Sequence, residues 1–202
     1  MPGLTRGSAP LLSFLHYRAA KMSGPTCLKT LKLGKGSELR LFHDDSQPED
    51  SLMQWYTEAV ADGEPTSEAV YIPAHWHRNH SEHMSVLEGR NEATIDGRTK
   101  LMRAGDEFVI PRLAVHEFKG FKGERLVIRE RADPGGDYKV LFFNDVFSSD
   151  SPFAFWHTMR AFYDGDTYPA MGLYFRFFDI AFVTIFGGIA KLFDSKKPTK
   201  IE

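Results

Sequence analysis

The sequence has almost no cysteine, and this absence narrows the chemistry that the chain can support. Its 202 residues include one cysteine, Cys27. A single thiol cannot form an internal disulfide, which excludes a small scaffold held together by disulfides. It also excludes thiolate-rich zinc and iron–sulfur sites. A metal ion in this chain must therefore be held mainly by nitrogen and oxygen.

The sequence also lacks a large excess of charge of either sign, and it lacks long apolar runs near its start. The formal net charge is −2, so there is no basic excess for binding nucleic acid. The early apolar run at 11–15 is too short for the core of a signal peptide. Residues 1–37 carry six Lys or Arg and no Asp or Glu, which weakly resembles a transit peptide. We expect an intracellular, cytoplasmic protein, and the sequence leaves open whether residues 1–21 belong to its mature form.

Turn signals divide the chain into three regions. Residues 1–36 lack sustained periodicity and are expected to form a loose N-terminal segment. Residues 37–132 consist of short alternating runs with a turn signal at each joint, of which Asp96-Gly97 is the strongest. The third region, residues 133–202, begins at the break Asp133-Pro134-Gly135-Gly136 and is expected to be a helical extension. It is rich in aromatic residues, of which 16 lie within 142–193. The pattern predicts a mainly β fold, a single barrel or sandwich followed by helices.

The alternating runs predict nine strands. They are Glu38–His43, Met53–Glu58, Glu68–Ile72, Glu82–Leu87, Asn91–Ile95, Arg98–Met102, Glu107–Ile110, Val115–Phe118 and Glu124–Arg131. In the extension, Ser151-Pro152 has the residues of a helix start, with Ser as N-cap and Pro at the first helical position.

The last predicted helix covers about 173–193 and has two different faces. An apolar stripe at three- and four-residue steps consists of Phe175, Phe178, Phe182, Ile185, Ile189 and Leu192. The opposite face carries Arg176, Asp179, Gly187 and Lys191. We expect the stripe to pack on the barrel, and the charges argue against a membrane span. The sequence leaves the role of this helix open. It could be a lid or an interface, including the interface of a homodimer. Contact of 173–193 with a membrane surface is a further alternative but is not favoured.

Histidines supply the chemistry that the missing cysteines cannot. His75 and His77 are two residues apart, which places both imidazoles on one face of a strand. Glu82 follows after a short turn, and His116 lies on a later strand next to the turn at Pro111. In a barrel these four side chains can converge. Three imidazoles and one carboxylate suit iron, manganese, nickel or zinc and leave coordination positions open for substrate, water or dioxygen.

These residues resemble the two motifs of the cupins. The first motif, His-x-His followed by Glu and Gly, is matched with its spacing by His75, His77, Glu82 and Gly89. The second motif is matched by Gly105, Pro111 and His116, while Leu113 stands where Gly is usual and Gly120 where Asn is usual. Both departures concern turn conformation and leave the ligands in place. The resemblance covers about 37–132 and implies a single cupin barrel, a double-stranded β-helix of the jelly-roll type, with a metal at His75, His77, Glu82 and His116.

Beyond the barrel, the chain is similar to small cupin-domain oxidoreductases of fungal polyketide gene clusters. That similarity rests on overall size and the aromatic extension. It implies a metal-dependent oxidoreductase acting on a small apolar or aromatic, polyketide-derived intermediate in secondary metabolism. Alternatives are a non-redox lyase or isomerase (dehydratase, epimerase or decarboxylase) and a non-catalytic cupin that binds a small molecule. Fe(II) is the favoured metal, with Mn, Zn and Ni as alternatives, and no nicotinamide or flavin motif is present.

Alternation also assigns the neighbours of the four predicted ligands. Tyr71, Met84 and Phe118 share their parity and are expected to line the substrate cavity or to belong to the barrel core. No residue beyond the metal ligands is a convincing catalytic acid or base in the sequence.

Other polar residues near the motifs have less specific expectations. His80 lies in the turn between ligands, where it could support them, whereas His83 is expected to point to solvent. Glu130 belongs to a charged strand end that is expected to be solvated, and His157 has no partner in the sequence. Trp76 is expected to face away from the metal and to pack.

Overall fold

The computed structural model describes residues 24–147, 155–173, 175–194 and 196–201. Ten strands come first in the chain: β1 (Pro25–Gly34), β2 (Ser37–Asp44), β3 (Trp55–Asp62), β4 (Tyr71–Trp76), β5 (Ser81–Glu88), β6 (Arg90–Ile95), β7 (Arg98–Arg103), β8 (Glu107–Ile110), β9 (His116–Lys119) and β10 (Arg125–Asp133). The extension follows as α1 (Tyr138–Phe147), α2 (Phe155–Asp164), β11 (Tyr168–Pro169) and α3 (Arg176–Ala190).

The strands form two antiparallel sheets. One has the order β1-β2-β3-β10-β5-β8 and the other the order β11-β4-β9-β6-β7. One apolar core draws on both sheets, with Leu41 and Met84 from the first and Phe118 from the second among its buried members. The predicted mainly β fold with a C-terminal helical part is therefore confirmed.

Most predicted strands agree with the structure to within about two residues. The Asp96-Gly97 hairpin is confirmed: β6 and β7 flank it, and both residues have the positive φ that a tight two-residue turn requires. The strand predicted at 68–72 instead begins at Tyr71. Glu68 N donates to Lys35 O and Gly120 N donates to Val70 O. Residues 68–70 are therefore held by isolated hydrogen bonds and not by the ladder of a strand pair.

The expectation of a loose segment up to residue 36 is wrong for residues 25–34, which form β1. Strand β1 pairs with β2 along its whole length. Its register shifts twice, between Cys27 and Lys29 and between Lys32 and Gly34. Such bulges interrupt the two-residue alternation by which a strand is recognised. Residues 1–23 lie outside the described part of the chain.

The extension joins the barrel directly. β11 pairs with β4, so that Tyr168 lies opposite Trp76 and Pro169 opposite His75. The helix start predicted at Ser151-Pro152 lies outside the described residues, and α2 is described from Phe155 onward. None of the helices in the described ranges is both long and apolar enough for a bilayer crossing.

The face on which α3 docks is opposite to the one expected. Its buried residues are Asp179, Val183, Gly187 and Ala190, which follow the predicted outer face. The apolar stripe points outward at five of its six positions, with exposures of 61% for Phe175, 44% for Phe178, 55% for Ile185, 42% for Ile189 and 84% for Leu192.

Two specific contacts explain this orientation of α3. The buried Trp76 indole donates to Asp179 Oδ2 over 2.9 Å, which satisfies a polar group on each partner. At Gly187 a Cβ would lie 2.4 Å from Tyr163 Cβ, so only glycine lets α2 approach this closely. A polar anchor and a missing side chain therefore decide the orientation that the stripe alone predicted wrongly.

Buried charges also hold the extension together. Arg160 on α2 is 1% exposed, and both its terminal nitrogens bind the Asp145 carboxylate on α1. Arg160 Nε also donates to Asp194, 3.0 Å away. His157 lies 3.1 Å from the same Asp194 carboxylate, which corrects the expectation that it has no partner.

Candidate metal centre

The four predicted ligands come together in the structure. His75 lies on β4, His77 directly follows that strand, Glu82 lies on β5 and His116 on β9. One ligand atom from each residue lies within 4.8 Å of all the others. His75 is also the register partner of His116 in the β4–β9 pair. The cluster therefore could hold a metal ion, as its spacing predicted.

Backbone carbonyls fix the orientation of all three imidazoles. Nδ1 of His75 donates to Pro73 O (2.8 Å), Nδ1 of His77 to Asp166 O (2.9 Å) and Nδ1 of His116 to Ala114 O (3.0 Å). A carbonyl oxygen can only accept, so each Nδ1 carries a hydrogen and each Nε2 is left to face the cluster. This support for the second ring nitrogen is characteristic of metal-binding histidines. His116 Nε2 is buried and lies 3.2 Å from Glu82 Oε2, inside the cluster.

Burial and charge set the protonation of the cluster. Burial lowers the pKa of His77 to about 4 and that of His75 well below its usual value. Burial alone would raise the pKa of Glu82, but the Lys139 ammonium and His77 outweigh it and hold this pKa well below its usual range. For His116 burial lowers the pKa and the adjoining Glu82 carboxylate raises it, with a net increase. Two imidazoles and the carboxylate are thus already in the form that binds metal.

A lysine from the extension reaches into the cluster. Lys139 on α1 is buried, and its Nζ lies 2.6 Å from Glu82 Oε1 and 3.2 Å from His77 Nε2. Glu130 on β10 lies 3.2 Å from the same Nζ. Burial raises the pKa of Glu130 to about 7. The expectation of a solvated Glu130 is therefore wrong, because it points into the barrel beside the ligands.

A loop of the extension supports the site from the other side. Asp166 holds His77 through its backbone oxygen, and its carboxylate accepts from Asn79 N (2.7 Å) and lies 3.0 Å from His80 Nδ1. His80 is buried and stacks on His77, with ring centroids 4.1 Å apart. The expected supporting place of His80 thus agrees with the geometry. No sequence signal identified Asp166, which lies 89 residues after His77.

The neighbours of the ligands divide as alternation predicts. Trp76 is fully buried and stacks on Tyr168, away from the cluster. His83 is about one-third exposed and lies 3.6 Å from Asp133. Neither residue belongs to the group of converging ligand atoms.

An apolar cavity of about 360 Å³ adjoins the ligands. His75, His77 and Glu82 form part of its wall, together with Glu130 and Lys139. The predicted lining residues Tyr71, Met84 and Phe118 all border it, and α1 adds Phe142, Phe143 and Phe147. The cavity thus has a polar end at the ligands and apolar walls, as small-molecule sites commonly do.

The motif positions that bind no metal have conformational roles. Gly89 has φ of +74°, and a Cβ there would lie 1.9 Å from Arg125 O. Leu113 replaces the usual glycine of the second motif but keeps the left-handed conformation, with φ of 69°. Its N–H donates to His77 O over 2.8 Å, so the turn still holds the ligand-bearing segment. The departure at Leu113 leaves the geometry of the turn intact.

Solved structures with a similar chain path include an RmlC-like cupin from Shewanella frigidimarina, with 19% identity and a TM-score of 0.41, covering 53% of this chain and 84% of that chain. KdgF from a Halomonas species has 19% identity and a TM-score of 0.42, covering 54% of this chain and 88% of that one. The polyketide cyclase RemF from Streptomyces resistomycificus has 24% identity and a TM-score of 0.40, covering 52% and 72%. No curated protein matches the chain in sequence.

A family model gives the assignment for the central part of the sequence. Residues 64–128 match the cupin domain model. This range includes His75, His77, Glu82 and His116. The chain therefore carries a cupin domain, and that domain contains the whole predicted ligand set.

Proposed function

We propose that the chain is a metal-dependent enzyme that acts on a small, largely apolar organic molecule inside the barrel. The observation that carries this proposal is the convergence of three carbonyl-anchored imidazoles and Glu82 beside the cavity, whose wall includes His75, His77 and Glu82. His75, His77, Glu82 and His116 would hold the metal, with Fe(II) first and Mn, Zn and Ni as alternatives. Such a metal supplies Lewis-acid chemistry or the activation of dioxygen.

The chain's own residues define what the substrate must look like. Phe118, Phe142 and Phe143 give the cavity apolar, aromatic walls that exclude water from a bound molecule. Lys139 and Glu130 place an ammonium and a carboxyl group at the polar end. A molecule with an apolar or aromatic body and one oxygen function directed at the ligands fits this division. Tyr71, which is 58% exposed, borders the mouth through which it would enter.

For the reaction class we propose an oxidoreductase of secondary metabolism that acts on an aromatic or polyketide-derived intermediate. The support is the similarity in size and aromatic extension to the fungal polyketide-cluster cupins, together with a donor set that suits Fe(II).

A second candidate, a non-redox lyase or isomerase, is favoured by one specific observation. The sequence offered no acid or base beside the metal ligands, whereas Glu130 and Lys139 lie together at the cavity wall, 3.2 Å apart. A carboxyl group and an ammonium in that position can exchange a proton with a bound molecule without any change of oxidation state.

Metabolite profiling of a deletion strain identifies the substrate, because the intermediate that accumulates names it. The purified chain, loaded anaerobically with Fe(II), is then given that intermediate. We expect wild type and His83→Ala to bind metal and to consume the intermediate, because His83 lies outside the cluster. His77→Ala should lose both metal and turnover. Turnover by a metal-free His77→Ala protein would refute the proposal.

Oxygen uptake separates the two reaction classes. Stoichiometric dioxygen consumption during turnover supports the oxidoreductase. Full turnover under strict anaerobiosis with no added electron acceptor supports the lyase or isomerase. In that second case Glu130→Gln should abolish the reaction while the metal content stays measurable.

A further inference from the structure

Lys139 occupies an unusual position for a positively charged side chain, because it lies among the residues that would bind a metal cation. Its side chain is 6% exposed, and Nζ lies within 3.2 Å of Glu82 Oε1, His77 Nε2, His80 Nε2 and Glu130 Oε1. Two of these four partners, Glu82 and His77, are members of the proposed ligand set. The ammonium thus contacts some of the atoms that a metal would use.

The two cations cannot share His77. Its Nδ1 donates to Asp166 O, so the neutral ring has a single acceptor lone pair, on Nε2. This Nε2 lies 3.2 Å from Lys139 Nζ and 2.8 Å from Glu82 Oε1, which itself accepts from the same ammonium. A metal bond of about 2.0–2.1 Å to the same nitrogen would use the same electrons. One of the two cations must leave Nε2 when the other binds it.

A second carboxylate is available to the displaced ammonium. Glu130 Oε1 lies 3.2 Å from Nζ but belongs to β10 and is not among the converging ligand atoms. His80 Nε2 offers a further acceptor at 3.1 Å. The ammonium can therefore leave His77 and Glu82 and still keep Glu130 and His80 as partners inside the barrel.

We propose that Lys139 is the chain's own competing cation: it holds His77 and Glu82 when no metal is bound, and metal entry displaces it onto Glu130. This inference rests on the proposed metal site. It gives the buried Glu82 carboxylate a counter-charge before a metal binds, because an unpaired buried charge would be costly. It also implies that Lys139 weakens metal affinity and Glu130 strengthens it.

The first test measures Zn²⁺ affinity by competition with a chromophoric chelator on chains stripped with EDTA. We expect Lys139→Met to bind Zn²⁺ about 10- to 100-fold more tightly than wild type, and Glu130→Gln to bind it more weakly. Lys100→Met, an exposed lysine on β7, is the matched control and should bind as wild type does. Equal or weaker binding by Lys139→Met, or tighter binding by Glu130→Gln, overturns the proposal.

The Glu130→Gln variant and unfolding measurements serve as controls for a loss of folding in Lys139→Met. Lys139→Met should have a lower melting temperature than wild type in EDTA, because Glu82 loses its cation, and the gap should close in Zn²⁺. If Lys139→Met does not fold, the weaker binding expected of Glu130→Gln still decides. If neither wild type nor Lys139→Met binds Zn²⁺, both the metal site and this inference are wrong.

The crystal structure of the zinc-loaded wild type separates displacement from simple charge repulsion. Displacement predicts that Nζ lies beyond hydrogen-bonding distance of His77 Nε2 and contacts Glu130. A Lys139–Glu82 pair still at the present 2.6 Å, beside a bound zinc ion, would overturn the displacement while leaving the metal site intact.

Discussion

The sequence pattern predicts the direction of the side chains correctly in the barrel and wrongly in the last helix of the extension. In the barrel, strand alternation places His75, Glu82 and His116 toward one another and Trp76 on the other face, as expected. In the extension, the apolar stripe of α3 largely faces outward, and Asp179 with Gly187 forms part of the buried face. A sheet imposes its two-residue period on every side chain, because neighbouring strands fix the register. A docked helix can rotate about its axis, so a few specific contacts decide which face it buries.

Buried charge should distinguish the two regions most strongly. Arg160 in the extension and Arg90 in the barrel each bind a carboxylate through two nitrogens, and Arg160 also donates to Asp194. Arg160 is buried, whereas Arg90 is exposed. Arg160→Met leaves Asp145 buried without its partner, and we expect a loss of about 3–5 kcal/mol of unfolding free energy. Arg90→Met should change stability little, because water screens that pair. Urea denaturation measures both, and similar effects would contradict the contrast.

The orientation of α3 gives the next largest effect. We expect Val183→Ala to cost about 2 kcal/mol of unfolding free energy, because the side chain is 1% exposed. Ile185→Ala, two residues later on the outer face, should change stability by less than about 0.5 kcal/mol. The reverse order in thermal or urea denaturation would mean that the apolar stripe is the packing face after all.

The contribution of the extension to the site can be measured through Asp166. Asp166→Asn keeps a residue that tolerates the φ of 57° but removes the charge beside His80. We expect Zn²⁺ affinity to fall about tenfold, as for other residues that orient metal ligands. Asp106→Asn, in an exposed turn of the barrel, serves as the control. Unchanged affinity in Asp166→Asn would show that the carboxylate beside His80 does not help to orient the ligands.

The smallest effect concerns the altered motif turn. Leu113 holds a left-handed conformation that disfavours side chains, so Leu113→Gly should raise the unfolding free energy by about 0.5 kcal/mol, after the entropy of glycine is subtracted. Leu87→Gly, on strand β5, should instead lower it. A destabilised Leu113→Gly protein would indicate that the leucine side chain, 43% exposed, contributes more than the strain costs.

The sequence predicted the barrel part of the site because its ligands follow local rules. His75 and His77 are two residues apart at the end of β4, and the Asp96-Gly97 turn closes its hairpin as predicted. β1 was not predicted, since two bulges interrupt its alternation.

The extension's part of the site could not be predicted. Lys139 and Asp166 meet His77 from 62 and 89 residues further along the chain, and no period links them to it. The orientation of α3 depends on the contact between Trp76 and Asp179, 103 residues apart, and on the close approach of Tyr163 to Gly187. No helical pattern contains either contact. Contact of 173–193 with a membrane surface or a second copy stays a prediction.

The central claim is that three imidazoles and one carboxylate hold a single metal ion. X-ray absorption spectroscopy of the zinc-loaded chain tests it most directly, with His75→Ala and His80→Ala for comparison. The account predicts three imidazole nitrogens at about 2.0–2.1 Å and carboxylate oxygen at about 2.0–2.2 Å. One imidazole should be lost in His75→Ala and none in His80→Ala. Fewer than three imidazoles in wild type, or the loss of one in His80→Ala, would contradict the account.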